Sequence, residues 1–568
     1  MSKQRWSNSF TFILAAVGSA VGLGNCWRFP GLIAKHGGGA FLLVYIVAMV
    51  IVGVPLLAME IAIGRRMRGG APKALKGINK KAEVVGWSAV ANGFVICCYY
   101  TVVFAWVIAM IFGSISFAGM TGTETGIADA GNFFTDYVIQ TSWNVEFTGI
   151  GANIPIWMVL ALLAAWGLVY YCIRNGAASV GKVVKYTVFI PVILLLVLMI
   201  KGFIGNPQLG DAMYALFVPD WTSLGNPTLY ADAFGQVFFS LSIMMAIMFA
   251  YGSYLPKDSN IARDTVIIAA SDLLISVLSS VVLFTTIYST GKTVGDMSDS
   301  GIATAFIIYP QAIVQFTNVG WINAIFGVIF YLTLATLAID SAFSIAEGVS
   351  RAISDKFGIP QKKATIGCII VMALISVVFI TGAGLAWLDI VDHWTNFLNL
   401  ILIGVVECIF IGWVFKPKKV LDEVNKNTNK FKMPSWWFIT SIKIIAPLAL
   451  TFFFAWNLVD IFYNLEVFPI VFDPAGYEGY PIWAQIVGGW AISALVFAAG
   501  FIVMLLVKCN KKLNAMAKKA EADEKTWDEM ESINDAEGDE TPTEGTPSDD
   551  PSADNSQEDT PVDAPAAE

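Results

Sequence analysis

Four carboxylates stand inside apolar runs long enough to cross a bilayer: Glu60, Asp272, Asp340 and Glu407. An ionisable side chain at mid-bilayer costs on the order of 2.5–3.5 kcal/mol on insertion scales, so each needs a task. Hydroxyls cluster near them: Ser240 with Ser242 in GQVFFSLSIMMAIMFAYGSYL, and Ser341 with Ser344 in FYLTLATLAIDSAFSIAEGVSRAI. Asp340 and Ser341 set a carboxylate beside a hydroxyl, and oxygen ligands in a dry site suit a hard cation. Ser344 and Ser271 read instead as hydrogen bonds between helices. Glu60 and Glu407 read as protonated, hydrogen-bonded carboxyls that tie a broken helix in place, with ion or proton handling as the alternative.

A second constellation is the run SAVGLGNCWRFP, Ser19 to Pro30. Gly18, Gly22, Gly24 and Asn25 are poor choices for a helix that only spans lipid and good choices for one that must break. Unwound backbone is tolerated in a membrane only where protein buries it or it lines a cavity. Such a break presents carbonyls to a cation and half-helix N–H groups to an anion. Gly18-x-x-x-Gly22 also fits small-residue helix packing, but packing leaves Asn25, Arg28 and Pro30 unexplained.

Elements that could position these groups are visible in the composition. The 568 residues are 56% hydrophobic and 14% charged, with a mean hydropathy of +0.66, which excludes a soluble multidomain chain. Apolar windows of about 20 residues fall near 10–34, 40–64, 86–118, 154–173, 184–204, 230–255, 262–288, 322–350, 364–384, 388–415, 437–463 and 484–508. Twelve spans are expected, the first a retained span and not a cleaved signal peptide. The loops 119–152, 205–228 and 465–483 contain no Lys or Arg, whereas Lys3, Arg5, Arg65, Arg66, Arg68, Arg174, Arg263, Arg351 and Lys416 all fall on the other side. By the positive-inside rule both termini are cytoplasmic.

The net charge of −9 comes from the tail: Glu521–Glu568 carries eighteen acidic residues against Lys525 alone. That composition predicts a disordered, solvated tail. Seven cysteines show no zinc or haem spacing and read as small buried hydrophobes. Outward loops lack N-x-S/T sequons and cysteine pairs, which favours a bacterial or archaeal cytoplasmic membrane. No nucleophile–base pair, metal motif or nucleotide loop appears, so an enzyme is not expected.

The Ser19–Pro30 run, with motifs in the second, third, sixth, seventh, eighth and tenth windows, resembles the neurotransmitter:sodium symporter family from Trp6 to the end of the twelfth span. The resemblance implies an all-α membrane protein of the LeuT type, with a 5+5 inverted repeat and breaks in helices 1 and 6. Its parts would be a cytoplasmic N-terminus 1–9, a first repeat 10–204, an extracellular connection 205–229, a second repeat 230–415, two further spans in 437–508, and the acidic tail 513–568. One sodium ion would take the Ala20 carbonyl, the side chains of Asn25, Ser240 and Asp272, and the substrate carboxylate. Another would take carbonyls of Gly18, Val21 and Leu337 with Asp340 and Ser341.

By the same resemblance, N–H groups near Gly22–Gly24 and the Tyr100 hydroxyl would hold a substrate carboxylate. Carbonyls near Phe239 and Ser242 would receive its ammonium, and Ile96, Phe239, Met245, Ser341 and Ile345 would line the side-chain pocket. Biogenic-amine carriers place Asp where this chain has Gly22, so a substrate here brings its own carboxylate. Tyr45, Gln236, Ser240, Asp272 and Ser276 fall at the family's chloride positions. Chloride-dependent members have Asn where Asp272 stands, so Asp272 is expected to replace chloride. An outer gate would pair Arg28 with Asp392 above a lid of Phe239 and Tyr100. The inner gate would use Asp355 and Tyr254 with Lys3 or Arg5, since the family's N-terminal Arg is Lys3 here.

The function implied is sodium-coupled, chloride-independent import of a neutral, hydrophobic or aromatic L-amino acid by alternating access, with two sodium ions. A proton-coupled carrier of the same fold is the alternative. The partners are the amino acid and the lipid bilayer, with no nucleic acid, and the oligomeric state is left open.

Overall fold

The computed structural model describes residues 5–141, 153–256, 258–296, 301–427, 431–463 and 480–523. Lys3 and the acidic tail beyond residue 523 lie outside the described residues. Chain contacts divide the protein into Met1–Ala517, which holds every span, and Lys518–Glu568. Among the described residues the secondary structure is helical, apart from one isolated bridge between Gly38 and Pro219.

Among the described residues ten helices are long and apolar enough to cross a membrane: Gly39–Met67, Lys80–Met120, Ile156–Ile173, Ala177–Phe203, Ile261–Tyr288, Gly320–Phe357, Gln361–Ile380, Gly384–Phe415, Ser435–Val459 and Ile482–Cys509. An eleventh span is a broken pair, Ser9–Ala20 and Leu23–Lys35, bent by 60°. The sixth window is split in the same way, into Pro227–Ser240 and Ile247–Ser253. Counted with these two breaks the architecture has twelve spans.

Local chemistry explains where the first span starts and stops. Asn8 caps it by accepting the Thr11 amide at 2.8 Å, a standard N-terminal cap. At the break Val21 and Gly22 turn extended, and the Asn25 side chain accepts the Gly22 amide at 2.9 Å. The freed donor is therefore satisfied by a side chain four atoms long. In the sixth span the break is longer, running from Leu241 to Ala246, and Ser242, Met244 and Ala246 all adopt positive φ, at 54°, 66° and 64°. Left-handed backbone is costly for residues with a Cβ, so surrounding contacts must hold it. Glu60 of the second span supplies one, accepting the Met244 amide through Oε1 at 2.6 Å.

Backbones approach closely where glycines permit it. A Cβ on Gly64 would lie 2.2 Å from the Phe249 carbonyl oxygen, and one on Gly252 would lie 2.4 Å from that of Ile61. These two glycines seat the second half of the sixth span directly on the second span. Between the spans the structure adds short helices that the apolar windows gave no sign of, Glu124–Phe133, Leu209–Phe217 and Gly301–Ile313. Phe306 of the last stacks on Phe134 at 4.3 Å and lies 6.0 Å from the Trp27 ring. That aromatic cluster closes over the Leu23–Lys35 half-helix.

Candidate binding site at the helix breaks

The two breaks face each other across a small cavity lined by Ser19, Ala20, Gly22, Gly24, Asn25, Ile96, Tyr100, Phe239, Ser240, Ser242, Met245, Ser341 and Ile345. Every residue expected at a substrate pocket is in this lining, brought together from the first, third, sixth and eighth spans. The one lining residue not expected is Ser19. Its carbonyl accepts the Ser242 hydroxyl at 2.8 Å and the Ser341 hydroxyl at 3.3 Å, so it stitches the first span to the sixth and eighth. Its place at the head of the glycine run was the only sequence signal for it.

One end of the cavity is built to meet an anion. Tyr100 accepts the Leu23 amide at 3.2 Å, which leaves its own proton available to donate. Gly22 is packed so that a Cβ would lie 2.5 Å from Ser341 Oγ and 3.1 Å from the Tyr100 hydroxyl. Gly24 is equally confined, with a Cβ 2.8 Å from Phe239 Cε1. The Leu23–Lys35 half-helix starts here with its N–H groups toward the break, a favourable setting for a carboxylate. The other walls, Ile96, Met245 and Ile345, are apolar.

Asn25, Ser240 and Asp272 form one hydrogen-bonded group. Asn25 Nδ2 lies 2.7 Å from Asp272 Oδ1 and 3.1 Å from Ser240 Oγ, and the Ser240 hydroxyl donates to the same carboxylate oxygen at 2.6 Å. Tyr45 donates to Asp272 Oδ2 at 3.1 Å. Three donors therefore converge on a fixed negative charge. Ser276 also receives Asn25 Nδ2 at 2.7 Å, while Gln236 turns to the Gly24 carbonyl at 3.5 Å.

Asp340 and Ser341 sit on the opposite side of the first break. Gly18 is pressed against the carboxylate, since a Cβ there would lie 2.5 Å from Asp340 Oδ2. Asp340 Oδ1 is buried and has no hydrogen-bond partner. A buried carboxylate oxygen left unpaired is expensive, and a cation among neighbouring carbonyls would satisfy it. Leu337, one turn before Ser341, is buried on the same helix. Glu60 Oε2 and both oxygens of Glu407 are likewise buried without partners, behind the strained sixth-span segment.

Among the described residues Arg28 and Asp392 make no ion pair. The Arg28 guanidinium lies over Phe397 at 4.8 Å and Phe239 at 5.6 Å, while Asp392 Oδ1 accepts Asn396 at 2.7 Å. Each charge is engaged by a neighbour, the cation by ring faces and the carboxylate by an amide one turn along its own helix. At the other end Asp355 is held by Arg351 Nε at 3.1 Å and by the Gly70 amide at 2.8 Å. Tyr254 is tied to the N-terminus, its carbonyl accepting the Trp6 amide at 3.0 Å. Glu347 and Arg351 join this cluster and were not expected from the sequence.

The profile of the Sodium:neurotransmitter symporter family matches residues 3–119 and 117–511. An uncharacterized sodium-dependent transporter of Methanocaldococcus jannaschii is 33% identical over 530 residues, covering 90% of this chain and 99% of that one. The mouse sodium-dependent neutral amino acid transporter B(0)AT3 is 27% identical over 521 residues, covering 79% and 83%. The crystal structure of MhsT in complex with L-phenylalanine superposes with a TM-score of 0.68 at 27% identity, covering 80% of this chain and 99% of MhsT. The chain belongs to the sodium:neurotransmitter symporter family, a family of sodium-coupled membrane transporters and not of enzymes, and its fold is of the LeuT type.

Proposed function

We propose that this protein is a symporter that uses two sodium ions to import a neutral, hydrophobic or aromatic L-amino acid, without chloride. The observation that carries the reading is the cavity between the two helix breaks, with anion donors at one end and apolar walls at the other. An amino acid is a carboxylate and an ammonium on one carbon, and both breaks offer complementary backbone groups. Its carboxylate meets the Tyr100 hydroxyl at the start of the Leu23–Lys35 half-helix, beside Gly22 and Gly24; its ammonium meets carbonyls near Phe239 and Ser242. Its side chain lies against Ile96, Met245, Ile345 and Phe239. The phenylalanine in MhsT and the neutral amino acids in the name of the mouse relative support this substrate class.

One sodium ion is assigned to Ala20, Asn25, Ser240, Asp272 and the substrate carboxylate, the other to Gly18, Val21, Leu337, Asp340 and Ser341. The orphaned Asp340 oxygen supports the second. Chloride independence is supported by the Asp272 carboxylate, which already receives the donors an anion would use. The human relative B(0+) is named as sodium- and chloride-dependent, so on this reading the two proteins differ in their use of chloride. We place the chain in a bacterial or archaeal cytoplasmic membrane with both termini inside.

In the cycle, sodium and amino acid enter between spans 1, 3, 6 and 8 from outside. Closure brings Arg28 toward Asp392 over Phe239 and Tyr100, and the inner cluster around Tyr254 and Asp355 then opens. Each charge moved inward across 100 mV supplies about 2.3 kcal/mol, so two sodium ions with a zwitterion drive accumulation. The alternative is a proton-coupled cycle in which Glu60 or Asp340 carries the proton, each having a buried carboxylate oxygen without a hydrogen-bond partner. Uptake of a radiolabelled amino-acid panel into proteoliposomes, with sodium or potassium and chloride or gluconate at fixed pH, separates the two. Saturable uptake that needs sodium and ignores chloride is expected. Equal uptake in potassium would hand the case to the proton.

A further inference from the structure

The face of the eighth span beyond the site carries Glu347, Arg351 and Asp355 at successive helical turns. Arg351 reaches two groups at once. Its Nε donates to Asp355 Oδ2 at 3.1 Å, and its guanidinium lies 4.9 Å from the centroid of the Tyr254 ring. Both charged side chains are mostly buried, with 13% and 10% of their side-chain surface exposed. In such a setting a charge pair is screened far less than at the surface.

From this pair the contacts spread to the elements that must part when the site opens inward. Asp355 Oδ2 accepts the Gly70 amide, anchoring the end of the second span. Tyr254 donates to Glu347 Oε1 at 2.6 Å, and Gln361 of the ninth span donates to the same oxygen at 3.3 Å. Trp6 meets the Tyr254 ring edge-on at 5.8 Å, and its indole donates to the Tyr251 carbonyl at 3.0 Å. The chain of contact therefore runs Asp355, Arg351, Tyr254, Trp6, and ends on the half-helix that lines the site.

We propose that Arg351 is the cation of the inner gate. It neutralises Asp355 from within the eighth span, and it holds the N-terminal segment closed through the Tyr254 ring and Trp6. A cation at position 3 or 5 is then not needed to satisfy Asp355. Arg351 is a positioning residue, touching neither substrate nor sodium. Its planar face is what the Tyr254 ring requires, and a lysine ammonium offers the charge without the plane. The inference rests on the alternating-access reading above.

Hydrogen–deuterium exchange on the full chain in nanodiscs, in sodium, tests it together with the sodium dependence of uptake. Arg351→Gln is expected to speed exchange across residues 6–20 and 247–254 at least fivefold. Exchange across the third-span core, residues 96–107, should change less than twofold, which separates gate opening from general loosening. Half-saturating external sodium should rise at least threefold, with Arg351→Lys between the two. The double variant Lys3→Gln/Arg5→Gln should stay within twofold of the unaltered protein in exchange. Should Arg351→Gln fail to yield monodisperse protein, Arg351→Met, which keeps the stem and removes the charge, takes its place. Unchanged exchange in the Arg351 variants, or an equal acceleration in the double variant, overturns the proposal. The exchange arm needs no transport, so absent amino-acid uptake with the expected exchange would sink the transport reading and leave the gate standing.

Discussion

At the scale of single residues, charge placement decides which ions the site needs. Asp272 receives Tyr45, Ser240 and Asn25, so removing its charge leaves three donors around a neutral amide. Asp272→Asn should therefore make uptake depend on an added anion, at least tenfold faster in chloride than in gluconate. Equal rates in both anions would remove Asp272 from the account of chloride independence. Gly22 is decided by space. Any side chain there meets Ser341 and Tyr100, and an aspartate would put its own carboxylate where the substrate's belongs. Gly22→Asp should lower equilibrium binding of the carried amino acid at least fiftyfold in a scintillation proximity assay. Binding within threefold of the unaltered protein would show that the carboxylate is held elsewhere.

At the scale of elements, the broken sixth span is held open against its own preference. Ser242, Met244 and Ala246 are left-handed, and the segment stays so because Glu60, Ser19 and packing against Gly404 fix it. A β-branched residue at positive φ is a severe outlier, and Ala246 is fully buried. Ala246→Val should cost about 2 kcal/mol or more, read as a lower midpoint in thermal denaturation followed by size-exclusion chromatography. Ala246→Gly, which tolerates that backbone, should stay within about 1 kcal/mol of the unaltered protein. Identical midpoints for Val and Gly would mean the segment relaxes freely and stores no strain.

At the scale of the whole molecule, sodium should act as a folding ligand. A ligand that binds only the folded state stabilises it by about 2.7 kcal/mol at one hundred times its Kd. The buried, unpartnered Asp340 oxygen is the group that gains most from a cation. Replacing potassium with sodium should raise the denaturation midpoint, and Asp340→Asn should reduce that rise by at least half. A midpoint that ignores the choice of cation, or a rise intact in the variant, would remove Asp340 from the sodium site.

Much of this was legible in the chain itself. Twelve apolar stretches follow from hydropathy, and the break in the first from the glycines around Asn25, because a bilayer forces each span to be helical unless protein covers the break; the break in the sixth was implied only by the family resemblance. The pocket residues were legible through their resemblance to a family motif. What the tertiary structure decided were the partnerships between spans. Ser19, Glu347 and Arg351 look ordinary in sequence, and only the packing of the first, sixth and eighth spans makes them neighbours of the site or of its gate. Arg28 and Asp392 carry the right charges for a direct pair, yet rings and an amide engage them first. Sequence fixes which groups are costly to bury; which neighbour relieves that cost depends on distances of a few ångströms between helices, and only the folded packing sets those.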